Sequence, residues 1–374
     1  MAATIRRFFQ KETVFCISLF LAAASSFLVR PDTAYFSYPD YQTLSLLFCL
    51  MLIVSGFRSL GAFEMLGQAL LKRTGSLRSL SLILLLLCFF SSMLITNDVA
   101  LITFVPFTLL VFRMIRKQNR VLTLVVLETI AANLGSMATP IGNPQNLYIF
   151  SATKLSFSQF AAAVFPYSAM ALVLLIAALL LQRNEPLEHI TLSGRTPEKL
   201  RCLLPEMAPL LFLLLLCLLV VFRLAPYAPV WFCVTLAILI INRKLFFSVD
   251  YFLLLTFLCF FIFIGNMKRI PLFSELLTSL VQGHELWAGI LTSQLISNVP
   301  ATLLLSGFTE NAALLLTAVN LGGLGTLIAS LASLIAFQAF AAEFPERKKR
   351  FLLVFSFWNL IFLLLLTASA LALS

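Results

Sequence analysis

Charge is scarce in this sequence. Asp, Glu, Lys and Arg make up 11% of 374 residues, hydrophobic residues make up 61%, and mean hydropathy is +1.01. So few solvated side chains cannot cover a soluble fold of this size. No polar stretch is long enough for a separate soluble domain, and the longest, 182–201, reads as a loop. Only two histidines are present, His189 and His284, too few to make a zinc site by themselves. The seven cysteines include no CxxC pair, and nearly all lie in apolar runs as small packing residues. There is no nucleophile–base pair and no phosphate-binding loop, so the residues offer no footing for an enzyme. Alternating segments of about ten residues are missing too, which excludes a membrane β-barrel.

Apolar runs of about 20 residues recur from end to end, the length that crosses about 30 Å of hydrocarbon. The chain is therefore an all-α polytopic membrane protein. Nine full spans are expected at about 13–30, 41–57, 121–150, 157–182, 203–224, 228–242, 250–267, 312–342 and 350–373. The first has the shape of a signal peptide. It reads as a retained helix because it has a counterpart later in the chain. Two more apolar segments, 78–114 and 284–308, are interrupted by Thr96-Asn97-Asp98 and by Ser297-Asn298, and are expected to be re-entrant hairpins.

The net charge of +10 sits in clusters between apolar runs, so it reports topology rather than nucleic-acid binding. With the N-terminus inside, 21 of the 26 Lys and Arg fall on the cytoplasmic side. Five fall outside: Arg30, Lys154, Arg223, Lys268 and Arg269. A single full span in place of the first hairpin would put the clusters at 183–201 and 243–244 outside, against the rule.

The chain also repeats. "SSMLITNDVAL" from residue 91 aligns with "TSQLISNVPAT" from 292, with five identities in 11. "ANLGSMATPIGNPQNLYIF" from 132 aligns with "VNLGGLGTLIASLASLIAF" from 319, with seven in 19. Asn97 matches Asn298, Asn133 matches Asn320, Gly135 matches Gly322 and Thr139 matches Thr326. Leucine bias cannot produce those matches. Both halves run as two spans, a connector (58–75 and 268–282), a hairpin, a broken span and a final span. The first hairpin opens inside and the second outside, so the halves are inverted. The expected parts are repeat 1 at 1–182, a loop and linker helix at 183–227, and repeat 2 at 228–374. Inverted repeats with matching broken helices are a pattern of secondary transporters.

Broken backbone survives in lipid only where it is buried in protein or lines a cavity. Pro140 and Pro144 free carbonyls. Gly135, Gly142, Gly322, Gly323 and Gly325 are expected to permit positive φ and close approach. Two tips and two breaks then converge on one pocket. Its polar set is Thr96, Asn97, Asp98, Asn133, Thr139, Asn143, Gln145 and Asn146 from the first half. The second half adds Ser297, Asn298, Thr302, Asn320, Thr326, Ser330 and Ser333. Amides and hydroxyls of this kind coordinate Na⁺ through oxygen and hold an oxyanion through N–H and O–H. Asp98, opposite Val299 in the repeat, is a cation ligand, a proton carrier or a cap for 99–113. Glu128 belongs to a proton path or pairs with an Arg at the hairpin base. Glu64, Glu275, Glu285 and Glu343 are expected at solvated interfaces.

"TND" and "SNVPAT" at the tips, with "ATPIGNPQN" and "NLGGLGTLIAS" in the breaks, resemble the ion transporter superfamily. Within it they are similar to the citrate-transporter-like and divalent anion–sodium symporter group and to the arsenite permeases. That resemblance covers nearly the whole chain. It implies an elevator-type carrier, usually a homodimer, that moves a small anion with Na⁺ or H⁺ and needs no other cofactor. It implies one cation site at Thr96, Asn97 and the Gly135–Gly142 region. A second would lie at Ser297, Asn298 and the Gly322–Thr326 region. Asp98 and Val299 stand where the family's Ser-Asn-Thr motif has Thr, which weakens the case for a two-carboxylate substrate and favours arsenite-permease-like and antiporter-like relatives.

Cation ligands are therefore expected among Thr96, Asn97, Asp98, Asn133, Gly135, Gly142, Ser297, Asn298, Asn320, Gly322 and Gly325. Substrate ligands are expected among Asn97, Asp98, Thr139, Asn143, Asn146, Asn298, Thr302, Thr326 and Ser330. The leading function is secondary active transport of a small carboxylate or inorganic oxyanion. A sodium–proton antiporter and an arsenite efflux permease are alternatives on the same fold. A channel fits less well, because hairpins occlude both halves and no ring of like charges marks a pore. Compact loops fit a prokaryotic inner membrane, with the N-terminus cytoplasmic and the C-terminus outside.

Overall fold

The computed structural model describes residues 12–62, 65, 75–153, 155–187 and 197–373. Most of the connector 58–75, with Glu64, lies outside them, as do several of the counted basic residues and His189. Among the described residues every regular element is helical. The first half runs α1 (Thr13–Leu28), α2 (Tyr41–Ser59), α3 (Leu77–Ile95), α4 (Asn97–Met114), α5 (Val121–Ser136), α6 (Pro144–Ala152) and α7 (Phe157–Leu180). A linker, α8 (Pro197–Val221), begins six residues before the expected 203. The second half runs α9 (Tyr227–Asn242), α10 (Tyr251–Lys268), α11 (Pro271–Val281), α12 (Glu285–Ile296), α13 (Asn298–Ser306), α14 (Ala312–Leu321), α15 (Leu331–Glu343) and α16 (Lys348–Leu373). Among the described residues seven helical stretches are long and apolar enough to cross a membrane. The protein is a polytopic α-helical membrane protein.

Polar residues punctuate the apolar text where helices start. Asp40 accepts from Gln42 N and Thr43 N at 3.1 Å to open α2. Ser76 and Ser79 form a capping box on α3, and Ser156 and Gln159 form one on α7. Asp250 opens α10 and Asn311 opens α14 in the same way.

The helices pack in two groups. In one, α1 lies on α10, and α2 lies on α8 and α9. In the other, α3 to α7 pack together with α12 to α16, chiefly through α3–α5, α12–α14 and α4–α15. The groups meet mainly where α10 touches α13 and where α2 and α8 touch α6.

The two interrupted segments are hairpins. Their arms differ in length: 19 and 18 residues in α3 and α4, but 12 and nine in α12 and α13. At 1.5 Å per residue the first pair could each cross the hydrocarbon, whereas the second pair is too short. Either way both arms of the first hairpin leave on the side they entered, so the parity of every later helix is unchanged.

Ion pairs tie loops at each end. At one end Glu185 binds Lys117 and, at 2.9 Å, Arg120, while Arg113 meets Glu343 at 3.3 Å. Elsewhere Arg269 meets Asp32 at 2.8 Å, and Arg223 Nη2 donates to Phe150 O at 2.9 Å.

Candidate functional site

Each hairpin turns on one strained residue. Thr96 has φ 72° and ψ 151°, and Ser297 has φ 75° and ψ 153°. That region of backbone space is close to glycine-only and costs of order 1–3 kcal/mol for other residues. The strain reverses the chain within one residue and turns the next N–H toward the broken helix. Asn97 N donates to Gly142 O at 3.2 Å, and Asn298 N donates to Ala329 O at 2.9 Å. Gly142 and Ala329 are themselves aligned positions. The expectation of positive φ at the break glycines is corrected here. Of the five, only Gly325 has it, at 102°. Gly135 and Gly322 serve close packing instead, since an added Cβ would lie 2.7 Å from Ser92 Oγ and Ser293 Oγ respectively.

The amides cross over between the halves. Asn133 Oδ1 accepts from Asn97 Nδ2 and from Ser330 Oγ, both at 3.0 Å, and Asn133 Nδ2 reaches Ser333 Oγ at 3.4 Å. Asn320 Oδ1 accepts from Asn143 Nδ2 at 3.0 Å, and Asn320 Nδ2 donates to Asn146 Oδ1 at 2.7 Å. Residues 143 and 146 align with 330 and 333. Each first-half-helix Asn therefore binds the same two positions of the opposite half. Asn143 also caps α6 by accepting from Asn146 N at 2.9 Å, and Asn146 Nδ2 donates to the Met137 and Thr139 carbonyls at 3.0 Å.

Between these knots lies a cavity of about 10 Å³, bordered by Asn97, Asp98, Gln145, Asn298, Val299 and Ser330, with Leu253 of α10 on one side. This volume is about one water's worth. The residues around it open four helices: α4, α6, α13 and α15. Four N-termini thus converge on one spot. Each is worth roughly 0.3–1 kcal/mol to a negative charge, more where partly buried. Asp98, in the first turn of α4, already places one carboxylate there. It does not cap the helix, because the N-cap is Thr96.

Several expected ligands do not border the cavity. Thr139 Oγ1 donates to Met93 O, Thr302 Oγ1 to Asn298 O at 2.6 Å, and Thr326 Oγ1 to Gln294 O at 3.4 Å. Thr139 and Thr326 tie the breaks to the hairpin arms, and Thr302 bonds back within α13. Gln294 was passed over in the sequence, yet it clamps the second break. Its Nε2 donates to Gly322 O and Leu324 O at 2.8 and 2.9 Å, and its Oε1 accepts from Thr326 N at 2.8 Å. An amide inside an apolar hairpin arm was its only signal. Among the described residues Glu128 meets no Arg. Its Oε1 accepts from Thr108 Oγ1 at 2.6 Å, and its buried Oε2 has no partner among the described residues. Glu285 is not a solvated interface residue either, being 4% exposed and bound to Thr309 at 2.8 Å.

A membrane protein whose hairpin tips and broken helices enclose a small polar cavity has the make-up of a solute carrier. The chain belongs to the citrate transporter family, whose model matches residues 8–317. It is similar to the inner membrane protein YbiR of Escherichia coli (strain K12), with 34% identity over 350 residues and 90% of each chain covered. It is also similar to the transporter MJ0456 of Methanocaldococcus jannaschii, at 32% over 339 residues and 90% of each chain. A shorter match, 35% over 141 residues, covers 37% of this chain and 28% of the silicon efflux transporter LSI3 of Oryza sativa subsp. japonica. The family and two of these relatives are transporters, and with its membrane-spanning helices this protein is an integral membrane transporter.

Proposed function

We propose that the protein is a secondary active carrier of a small anion, coupled to Na⁺ or H⁺. The observation that carries this reading is the convergence of four helix N-termini on one cavity lined by amides, a hydroxyl and Asp98. Such a field favours an oxyanion, and Asp98 gives a coupling cation its counter-charge. The reciprocal contacts of Asn133 and Asn320 support two repeats related by an in-plane pseudo-twofold, inverted in the bilayer. The two packed groups of helices support an elevator division. On this reading α1, α2 and α8–α10 are the fixed scaffold and homodimer surface, and α3–α7 with α12–α16 are the moving body. The basic ends at 113–120 and 347–350 are assigned to the cytoplasm of a prokaryotic inner membrane.

The cavity is too small for a carboxylic acid as it stands. A tip therefore has to move before substrate enters, and the structure corresponds to a closed state of the cycle. The test is uptake into proteoliposomes of labelled citrate, succinate, silicate and arsenite, under an inward Na⁺ gradient and then under a pH gradient alone. Saturable uptake that follows one gradient and vanishes in Asn97→Ala and Asn298→Ala is expected. No uptake of any of them, with internal pH changing on addition of Na⁺, would reject it in favour of a sodium–proton antiporter. The presence of Asp98 on the cavity favours that second reading.

A further inference from the structure

The two packed groups of helices meet where α8 touches α6, and one side chain fastens that meeting. α8 ends in a Schellman turn: Arg223 N donates to Val220 O at 2.9 Å and Leu224 N to Leu219 O at 2.8 Å. Arg223 has φ 62° there, at the position where glycine is the usual residue. The turn itself needs no side chain, and the guanidinium works on the other group. Its Nη2 donates to Phe150 O at 2.9 Å and to Thr153 O, C-terminal carbonyls of α6 that have no partner inside the helix. Its Cζ lies 5.5 Å from the centroid of the Phe150 ring. Phe222 completes the joint, with its ring 6.5 Å from that of Phe150 and 5.3 Å from that of Phe157 in α7. The opposite end of α6 carries Pro144 and Gln145 at the cavity, about 13 Å away at 1.5 Å per residue. α15, the aligned helix of the second half, is held differently. Its end and the turn after it are tied inside their own group, by Glu343 to Arg113 at 3.3 Å and by Arg347 Nη1 to Gln118 O at 3.3 Å.

We infer that Arg223 is a positioning residue for transport, a releasable clasp that holds α6 on α8 in this closed state and lets go when the moving body shifts. The inference rests on the proposed elevator division. Holding α6 on α8 fixes Gln145 of one group opposite Leu253 of the other across the cavity. Two features make the clasp releasable. Its acceptors are main-chain carbonyls, so no carboxylate is stranded without its partner when the guanidinium leaves. Arg223 is also exposed, beside an open recess of about 330 Å³ bordered by Gln42, Leu224, Ala225 and Pro226. A freed guanidinium therefore swings into solvent and is not buried as an unpaired charge.

A double variant reads the clasp directly. Ala152→Cys and Leu224→Cys replace exposed residues on the two sides of the joint, and a flexible bifunctional thiol reagent that reductant cleaves ties them together. Each single variant, treated alike, is the control for native thiols such as the exposed Cys233. The crosslinked protein in proteoliposomes is expected to lose uptake and to regain it on reduction. Crosslinked protein that transports at the uncrosslinked rate overturns the release and leaves the transport reading intact. Arg223→Gly in the same background keeps the end of α8, because glycine adopts a φ of 62° without strain. It is expected to weaken the joint about tenfold, read as slower crosslinking, and Arg223→Lys restores the rate by keeping a charged donor. Crosslinking unchanged in Arg223→Gly overturns the fastening. That measurement needs no anion, so it decides the clasp even where the unmodified protein takes up nothing and the transport reading fails. In uptake, Arg223→Gly alters the maximal rate and leaves KM in place. An unaltered maximal rate overturns the clasp, and a change confined to KM marks Arg223 as a substrate-binding residue instead.

Discussion

Gly142→Ala is the sharpest available test of the tip-to-break coupling. A Cβ at this position would lie 2.1 Å from Ser136 O and 2.8 Å from Ser136 C, both backbone atoms of the same break. Neither can swing away as a side chain would. Reaching even 3.0 Å from the oxygen needs about 0.9 Å of backbone movement. The Gly142 carbonyl is the acceptor for Asn97 N at 3.2 Å, so a shift of that size takes the bond out of range. Overpacking costs roughly 1–3 kcal/mol, and a buried N–H left without a partner costs a similar amount, for a total of roughly 2–6 kcal/mol. Unfolding of the purified protein in detergent should show Tm lowered by roughly 2–8 °C. Uptake by protein that still inserts and elutes normally should fall below about a tenth of wild type, because the first tip no longer seats on its break. Gly75→Ala is the control, since its Cβ meets nothing within 4 Å. If Gly142→Ala matches wild type in both Tm and uptake, the coupling of Asn97 to the break is not what holds the site.

Three further outcomes are expected. Asn133→Ala and Asn320→Ala should each lower stability by about 1–3 kcal/mol in chemical denaturation, since each strips partners from two aligned positions of the other half; a loss confined to one of them would contradict the reciprocity. Thr96→Gly should raise Tm, because it relieves a φ of 72° and removes a side chain that makes no capping bond, and a lower Tm would show that the Thr side chain is needed at the tip. Glu185→Gln should lose stability at neutral pH but not in acid. Hydrogen bonds from Lys117 and then Arg120 hold the Glu185 carboxyl below its ordinary 4.5, so its contribution is present above 4.5 and disappears as pH falls through the lowered folded-state value. Parallel unfolding curves of the two proteins at all pH values would refute that pairing.

Much of the architecture was legible because lipid imposes a simple code. Length of apolar run, placement of Lys and Arg, and the position of Gly, Pro and Asn locate the hairpins and breaks within a few residues. Asn97, Asp98, Asn298 and Ser330 border one cavity even though some 200 residues separate the two halves, and the repeat alignment is what pointed to them. Arm length was less legible. Leu-rich text around Thr96-Asn97-Asp98 does not say that α3 and α4 are half again as long as α12, or longer.

The partition of roles within the polar set was not legible either, and the reason is physical. A sequence displays donors and acceptors but not which of them satisfy each other. Asn133, Asn143, Asn146 and Asn320 look like ligands by residue type. In the fold they consume one another's hydrogen-bonding capacity and become the frame. Thr139, Thr302 and Thr326 do the same with backbone carbonyls. Of the two uses expected of the break glycines, close approach holds at Gly135, Gly142 and Gly322, while among the five positive φ is confined to Gly325, and Thr96 and Ser297 carry the unusual torsion at the tips. What is left after the mutual pairing is small: one carboxylate, Gln145 Oε1 and a tip amide at Asn298. In this conformation the side-chain groups free to meet a solute are the remainder after pairing. Gln145 belongs to the polar set by residue type, but it is set apart from the other amides only by its Oε1, which is buried without a partner among the described residues.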